Sequence, residues 1–259
     1  TELIPDAVVI VDISILSDIA SLVRNNTLDE DQASKFTTQY VELAAGSNPG
    51  HLAFSPTGGH LLVSNDGTNN VTVIDTSDGT IVGNVDVSAA GVGPREIAFR
   101  REGTSPSIVD HAIVVLDEDT VAGVGGITRF NLTDFINTGT PPAVALLQGL
   151  DANPRAIVTL VSADVVSGVY AYVANSGASS VSVFNLSTNT YLASIGVGAS
   201  PMDIDLSREN PIAFFACNGS DELWGADFST FVDSPSPLLA YPGLTTLDQP
   251  VKVEVQIRP

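Results

Sequence analysis

Five prolines divide the chain into comparable lengths. Pro49 is followed three and five residues later by Leu52 and Phe54, Pro94 by Ile97 and Phe99, and Pro154 by Ile157 and Thr159. Pro201 is followed in the same way by Ile204 and Leu206, and Pro250 by Val253 and Val255. The intervals are 45, 60, 47 and 49 residues. Between markers lie short runs rich in β-branched and aromatic residues, each closed by Gly, Asn, Ser or Pro. The clearest set occupies 171–174, 181–184, 191–195 and 202–206. Such runs are strands joined by tight turns. Four strands per unit and a period in the forties predict an all-β fold, a β-propeller of four-stranded antiparallel blades. One domain spanning 1–259 is expected.

Taken in order, residues 7–14 match the third strand of a unit whose first two strands are missing, and 40–43 match its fourth. Between them, 14–26 reads as an amphipathic helix with Ile15, Ile19, Leu22 and Val23 on one face. The polar, acidic stretch 27–38 reads as a surface loop, so an insertion covers about 14–38. Four full units follow, with longer connections at 101–110 and 131–142, and 251–257 is a lone first strand. Either this strand closes a five-bladed ring with the opening half-blade, or the chain is part of a larger, seven-bladed ring. The unmatched strand favours the second. The opening on Thr1 rather than Met is expected of a processed or excised chain.

The repeat carries a resemblance. Tyr172-Val-Ala-Asn175, Val181-Ser-Val-Phe-Asn185 and Gly198-Ala-Ser-Pro201 resemble the YVTN-type β-propeller repeat. Leu62-Val-Ser-Asn65, Val71-Thr-Val-Ile-Asp75 and Gly93-Pro94 repeat it, and Phe215-Ala-Cys-Asn218 matches its start. Val114-Val-Leu-Asp117 departs from it. The resemblance implies a propeller of secreted, periplasmic or surface-layer proteins, but no single activity. Its relatives include surface-layer domains, lactonase-like enzymes and the d1-haem domain of nitrite reductases.

The formal charge of −20 repels nucleic-acid phosphates and anionic lipid, so neither is expected as a partner. No apolar run reaches the length of a membrane span, so no membrane insertion is expected. Cys217 is the only cysteine, which excludes an internal disulfide and predicts a buried, inert thiol. His51, His60 and His111 lie in separate units without ligand spacing, so no metal is predicted. Asp66-Gly-Thr-Asn-Asn70 and Asp75-Thr-Ser-Asp-Gly79 are oxygen-rich, but they sit where strands turn and lack a calcium loop's spacing. There is no nucleophile elbow and no haem-attachment motif, so neither a catalytic residue nor a cofactor is assigned.

One constellation remains. The inner strand of each blade borders the central channel, and its first residues lie near one mouth. Arg95, Arg155, His51, Glu96, Asp203 and Lys252 stand one or two places after the marker prolines. They are predicted to converge on a polar ring suited to a small anionic or zwitterionic ligand. Five sequons, at Asn25, Asn70, Asn131, Asn185 and Asn218, are glycosylation candidates, although the repeat itself accounts for part of this enrichment. The functional expectation is a non-catalytic, exported scaffold or interaction module in a cell-envelope, surface-layer or extracellular assembly with other protein subunits. The alternatives are a lactonase-like hydrolase using the channel mouth and an accessory subunit of an extracellular or periplasmic electron-transfer complex.

Overall fold

A computed structural model describes residues 6–11, 37–104, 107–119, 124–147, 150–162, 168–207, 212–227 and 249–253. The expected helix at 14–26, the acidic loop up to residue 36, Asn25 and residues 254–257 lie outside the described residues.

The fold is a β-propeller built from antiparallel sheets. Strands β1 (Ala7–Val11) and β2 (Thr37–Glu42) pair as a half-blade. The first four-stranded blade runs through β3 (Pro49–Phe54), β4 (His60–Asn65), β5 (Asn70–Asp75) and β6 (Ile81–Asp86). The second comprises β7 (Gly91–Glu102), β8 (Val109–Asp119), β9 (Gly126–Asn131) and β10 (Ala145–Leu147). The third comprises β11 (Pro154–Ser162), β12 (Gly168–Asn175), β13 (Ser180–Asn185) and β14 (Thr190–Gly196). The fourth shows β15 (Pro201–Leu206), β16 (Ile212–Cys217) and β17 (Glu222–Asp227) among the described residues. Each marker proline from Pro49 to Pro201 opens or lies within the innermost strand, and β3, β7, β11 and β15 neighbour one another in that order.

Two long connections differ from the sequence reading. The stretch at 101–110 is strand at its two ends, where β7 and β8 extend their pairing through Arg101↔Asp110 and Glu102↔Val109, and the loop is narrowed to 103–108. The stretch at 131–142 contains a helix, α1 (Leu132–Thr138). Asn131 caps its start by accepting the Asp134 N–H, and Gly139 ends it at φ 64°. Phe135 of α1 reaches Gly83 on β6, where a Cβ would lie 2.9 Å from the ring. Only glycine admits that approach.

The recurring asparagine has a structural cause. Asn65 is wholly buried, and its amide donates to Asn70 Oδ1 at 2.7 Å and Thr72 Oγ1 at 2.8 Å. Asn175 does the same for Ser180 and Ser182, at 3.2 and 2.9 Å. Each clasps the second strand of its blade to the third, because a buried amide must find partners. Strand register puts Leu116 and Cys217 at the equivalent positions, one residue before the Asp117 and Asn218 that sequence matching suggests. In the second blade the Thr128 hydroxyl turns instead to the Ala145 carbonyl, so an apolar Leu116 leaves nothing unpaired. Burial pushes the Cys217 thiol up to about 12, which keeps it protonated and unreactive.

The blades pack face to face through the alternation of the inner strands. The third residue after each proline joins the apolar cluster shared with the preceding blade: Ile97, Ile157 and Ile204 are 5%, 3% and 3% exposed. The fourth residue turns the other way, so Ala53, Ala98 and Val158 pack towards the following blade. The first blade breaks this rule. Leu52 and Phe54 are 52% and 62% exposed, although β1 and β2 bury Val8, Val41 and Leu43 against Leu61, Val63 and Ile74 farther out on the same sheet. Among the described residues the half-blade covers the outer part of this face and leaves its inner strand bare. Truncation should therefore have unequal effects at equivalent positions. Ile204→Ala should cost about 2–4 kcal/mol and Leu52→Ala less than about 1 kcal/mol, measured by urea unfolding. Equal losses would mean that Leu52 is covered.

Candidate functional site at the channel mouth

A repeated strap builds the mouth. The residue before each marker proline adopts a left-handed conformation: Asn48 at φ 49°, Gly93 at 67°, Asn153 at 57°, Ser200 at 51° and Gln249 at 46°. This conformation suits Gly and Asn and is strained for most other residues. It lets the chain arriving from the previous blade turn sharply onto the inner strand. Backbone bonds then fix the strap to the hairpin of its own blade. Asp66 and Gly67 N–H donate to the Asn48 and Ser47 carbonyls, at 3.2 and 2.9 Å. Ser176 and Gly177 repeat this on Asn153 and Ala152, and Asn218 and Gly219 on Ser200 and Ala199. A Cβ at Gly67 would lie 2.1 Å from the Gly46 carbonyl oxygen, so the turn requires glycine.

Immediately after each proline the strand bulges, with register shifts at Pro49/His51, Pro94/Ile97, Pro154/Ala156 and Pro201/Asp203. Bulges re-aim side chains beside functional sites. Here they turn the first and second residues after each proline into one cavity of about 290 Å³. Its lining includes His51, Arg95, Glu96, Arg155, Asp203 and Lys252, so all six residues singled out in the sequence share one pocket. Met202 and Ala156, at the corresponding positions of their blades, complete the ring without charge. Farther along the same strands, a wider cavity of about 670 Å³ is lined by Ile97, Phe99, Ile157, Thr159 and Leu206. Asp205 and Ser207 also line that cavity, whereas the arginines, the lysine and the histidine are at the mouth.

The second-position side chains tie each blade to the next. Glu96 accepts the Ile157 N–H at 2.8 Å, and Asp203 accepts the Val253 N–H at 2.7 Å. His51 instead meets Glu96, with Nε2 3.3 Å from Oε1. Arg95 donates to Asp117 and lies 4.0 Å from Asp66. The bond to Asp117 is the leading cause that raises its guanidinium pKa further. The sequence does not reveal these two acidic partners, because they come from β8 and from the turn after β4. Burial, with Glu96 adding to it, raises the Asp203 carboxyl above its ordinary value, although the Val253 and Ile204 N–H groups and Lys252 oppose the shift.

Among the described residues no group of three His, Cys, Asp or Glu side chains is disposed to hold a metal ion. The oxygen-rich loops are turns, in which Asp75 accepts from Ser77 and Asp78 from Thr80. Asn70, Asn131 and Asn185 use their side-chain oxygens within the clasp, the α1 cap and a turn, and Asn218 opens a short 3₁₀ turn.

Comparison with solved structures places the chain among propellers. It overlays on a chain of Kuenenia stuttgartiensis hydrazine synthase with a TM-score of 0.54 at 19% identity, covering 78% of this chain and 52% of that one. A candidate 6-phosphogluconolactonase from Bacteroides fragilis gives 0.58 at 16% identity, covering 83% and 62%. The Cps50 (Swd1) β-propeller domain of Myceliophteria thermophila gives 0.54 at 11% identity, covering 81% and 62%. The chain thus spans between about half and two thirds of these structures, and at such identities the likeness is one of fold. No family model matches the sequence, and neither does any curated protein.

The raised affinity of Asp203 for its proton has a definite sign. The folded state holds this proton more tightly than the unfolded chain, so the charged carboxylate costs stability above the folded pKa. The cost vanishes as pH falls below the unfolded value. Asp203→Asn, whose side-chain oxygen can still accept from Val253, should melt higher than the wild type at pH 7. Thermal melts across the carboxylate range should show this gap closing as the pH falls. A variant that melts lower at every pH would contradict the reading.

Proposed function

We propose that this chain is a non-catalytic interaction module, an exported propeller whose bare first-blade face is completed by β-strands of another polypeptide in a cell-envelope, surface-layer or extracellular assembly. The carrying observation is the exposure of Leu52, whose counterparts Ile97, Ile157 and Ile204 are sealed by the preceding blade, and of Phe54, whose counterparts Phe99, Thr159 and Leu206 are half-buried. Pro49 is likewise exposed, whereas Pro94, Pro154 and Pro201 are buried. Residues two apart on one strand present an apolar face with the period of a sheet, which fits an extended strand or a blade face. A second copy of this chain is a poor occupant, because two bodies each carrying a formal −20 repel one another. The YVTN-like pattern and the acidic surface support the exported setting.

A hydrolytic role at the mouth has less support. Activating water requires a base free to take its proton. Glu96 and Asp203 each accept a backbone N–H from the next blade, so both carboxylates already hold the ring together.

Native mass spectrometry of the protein purified from its source should show a stoichiometric complex with a second polypeptide. Phe54→Asp should abolish this complex while leaving the melting temperature within a few degrees, because the side chain is already exposed. A photo-crosslinker at Leu52 should attach to one extended segment of the partner. A monomer in the native preparation, or an assembly of this chain alone, would overturn the proposal.

A further inference from the structure

Arg95 and Arg155 occupy the same position, one residue after the marker proline, on neighbouring inner strands, and both line the mouth cavity. Their surroundings differ in one respect. Arg95 is held by Asp117, the residue after the clasp register of its own blade, and it also approaches Asp66, the counterpart in the preceding blade. For Arg155 the corresponding residue of its own blade is Ser176, whose hydroxyl donates to the Asn153 carbonyl at 3.0 Å. The counterpart in the preceding blade is Asp117, which is engaged by Arg95. The repeat has thus placed an arginine and omitted its carboxylate. Among the described residues Arg155 has no ion pair and no hydrogen-bond partner; its Nε is buried and unpaired, as is that of Arg95. A guanidinium that lines a cavity with no carboxylate beside it leaves a place for an anionic acceptor.

We propose that Arg155 is the anchor of a binding site for a small monocarboxylate at the channel mouth, a ligand role separate from the blade face carrying Leu52 and Phe54. The guanidinium can grip a carboxylate through its terminal N–H groups, in the paired geometry that arginine favours. The rest of the lining sets the ligand's charge and size. Lys252 adds a second cation, whereas Arg95 is neutralised by its own carboxylates. Glu96 and Asp203 line the same cavity, so a second negative charge on the ligand would face two fixed carboxylates. A volume of about 290 Å³ admits only a small molecule. The site therefore favours a compact monocarboxylate over a phosphate ester, whose dianion the flanking acids repel.

The test uses glycolate and methyl phosphate as probes, with ¹⁵N-labelled full-length protein followed by NMR. Glycolate should produce saturable shifts centred on the amides of Ala156 and Ile157, the latter being the donor to Glu96. Methyl phosphate should bind at least fivefold more weakly. Arg155→Gln should weaken glycolate binding at least tenfold, and Arg155→Lys should retain part of it. Because Arg155 has no partner to lose among the described residues, Arg155→Gln should melt within a few degrees of the wild type. Shifts that are absent or unsaturable, shifts that persist in Arg155→Gln, or tighter binding of methyl phosphate would each overturn the proposal. A large loss of stability in Arg155→Gln would also do so, by revealing a structural role for the side chain.

Discussion

A β-sheet of three or four strands has two faces, and the second and third blades of this propeller bury both against their neighbours through the period-two alternation of the inner strands. Ile97, Ile157 and Ile204 point back, and Ala98 and Val158 point forward. No blade can bury its apolar surface alone, so burial passes from sheet to sheet and the fold is stable only as a series. This arrangement also explains why the first blade is exceptional. Its backward face meets, among the described residues, only the two strands of a half-blade, and Leu52 and Phe54 are left exposed.

The same alternation places the polar site. Once apolar residues hold the third and later positions of the inner strand in the blade interfaces, a bulge after the proline is the one place where a side chain can leave the pattern. The left-handed residue before each proline and the paired strap bonds make that departure identical from blade to blade. Side chains far apart in the sequence therefore reach a common mouth. The carboxylates there have structural work, since Glu96 and Asp203 accept N–H groups that no neighbouring strand would otherwise satisfy. A ring joined by side-chain acceptors holds its own mouth open and polar.

Variation within the repeat is as informative as the repeat. Asn65 and Asn175 clasp two strands with a buried amide, while Leu116 and Cys217 occupy the same register without one. Both solutions are stable because the polar partner changes together with the asparagine, as Thr128 illustrates. Arg155 breaks this logic. It keeps the arginine of its neighbour but has Ser176 at the position where Arg95 has Asp117, and among the described residues no carboxylate pairs with it.

The sequence by itself determined the propeller, the number and order of its strands between Pro49 and Cys217, and the six polar residues that share the mouth. It could do so because strand alternation, turn residues and the marker prolines are local signals, and a repeat multiplies each of them. The extended hairpin at 101–110 and the helix α1 were less legible, since single insertions have no second copy to be read against. Tertiary structure alone decided which charges pair, because Asp117 and Asp66 reach Arg95 from other strands and turns. It also decided that equivalent apolar residues are sealed in three blades and open in the first. Whether a side chain is buried depends on what the next sheet covers, and that neighbour is fixed by the order of the blades around the axis.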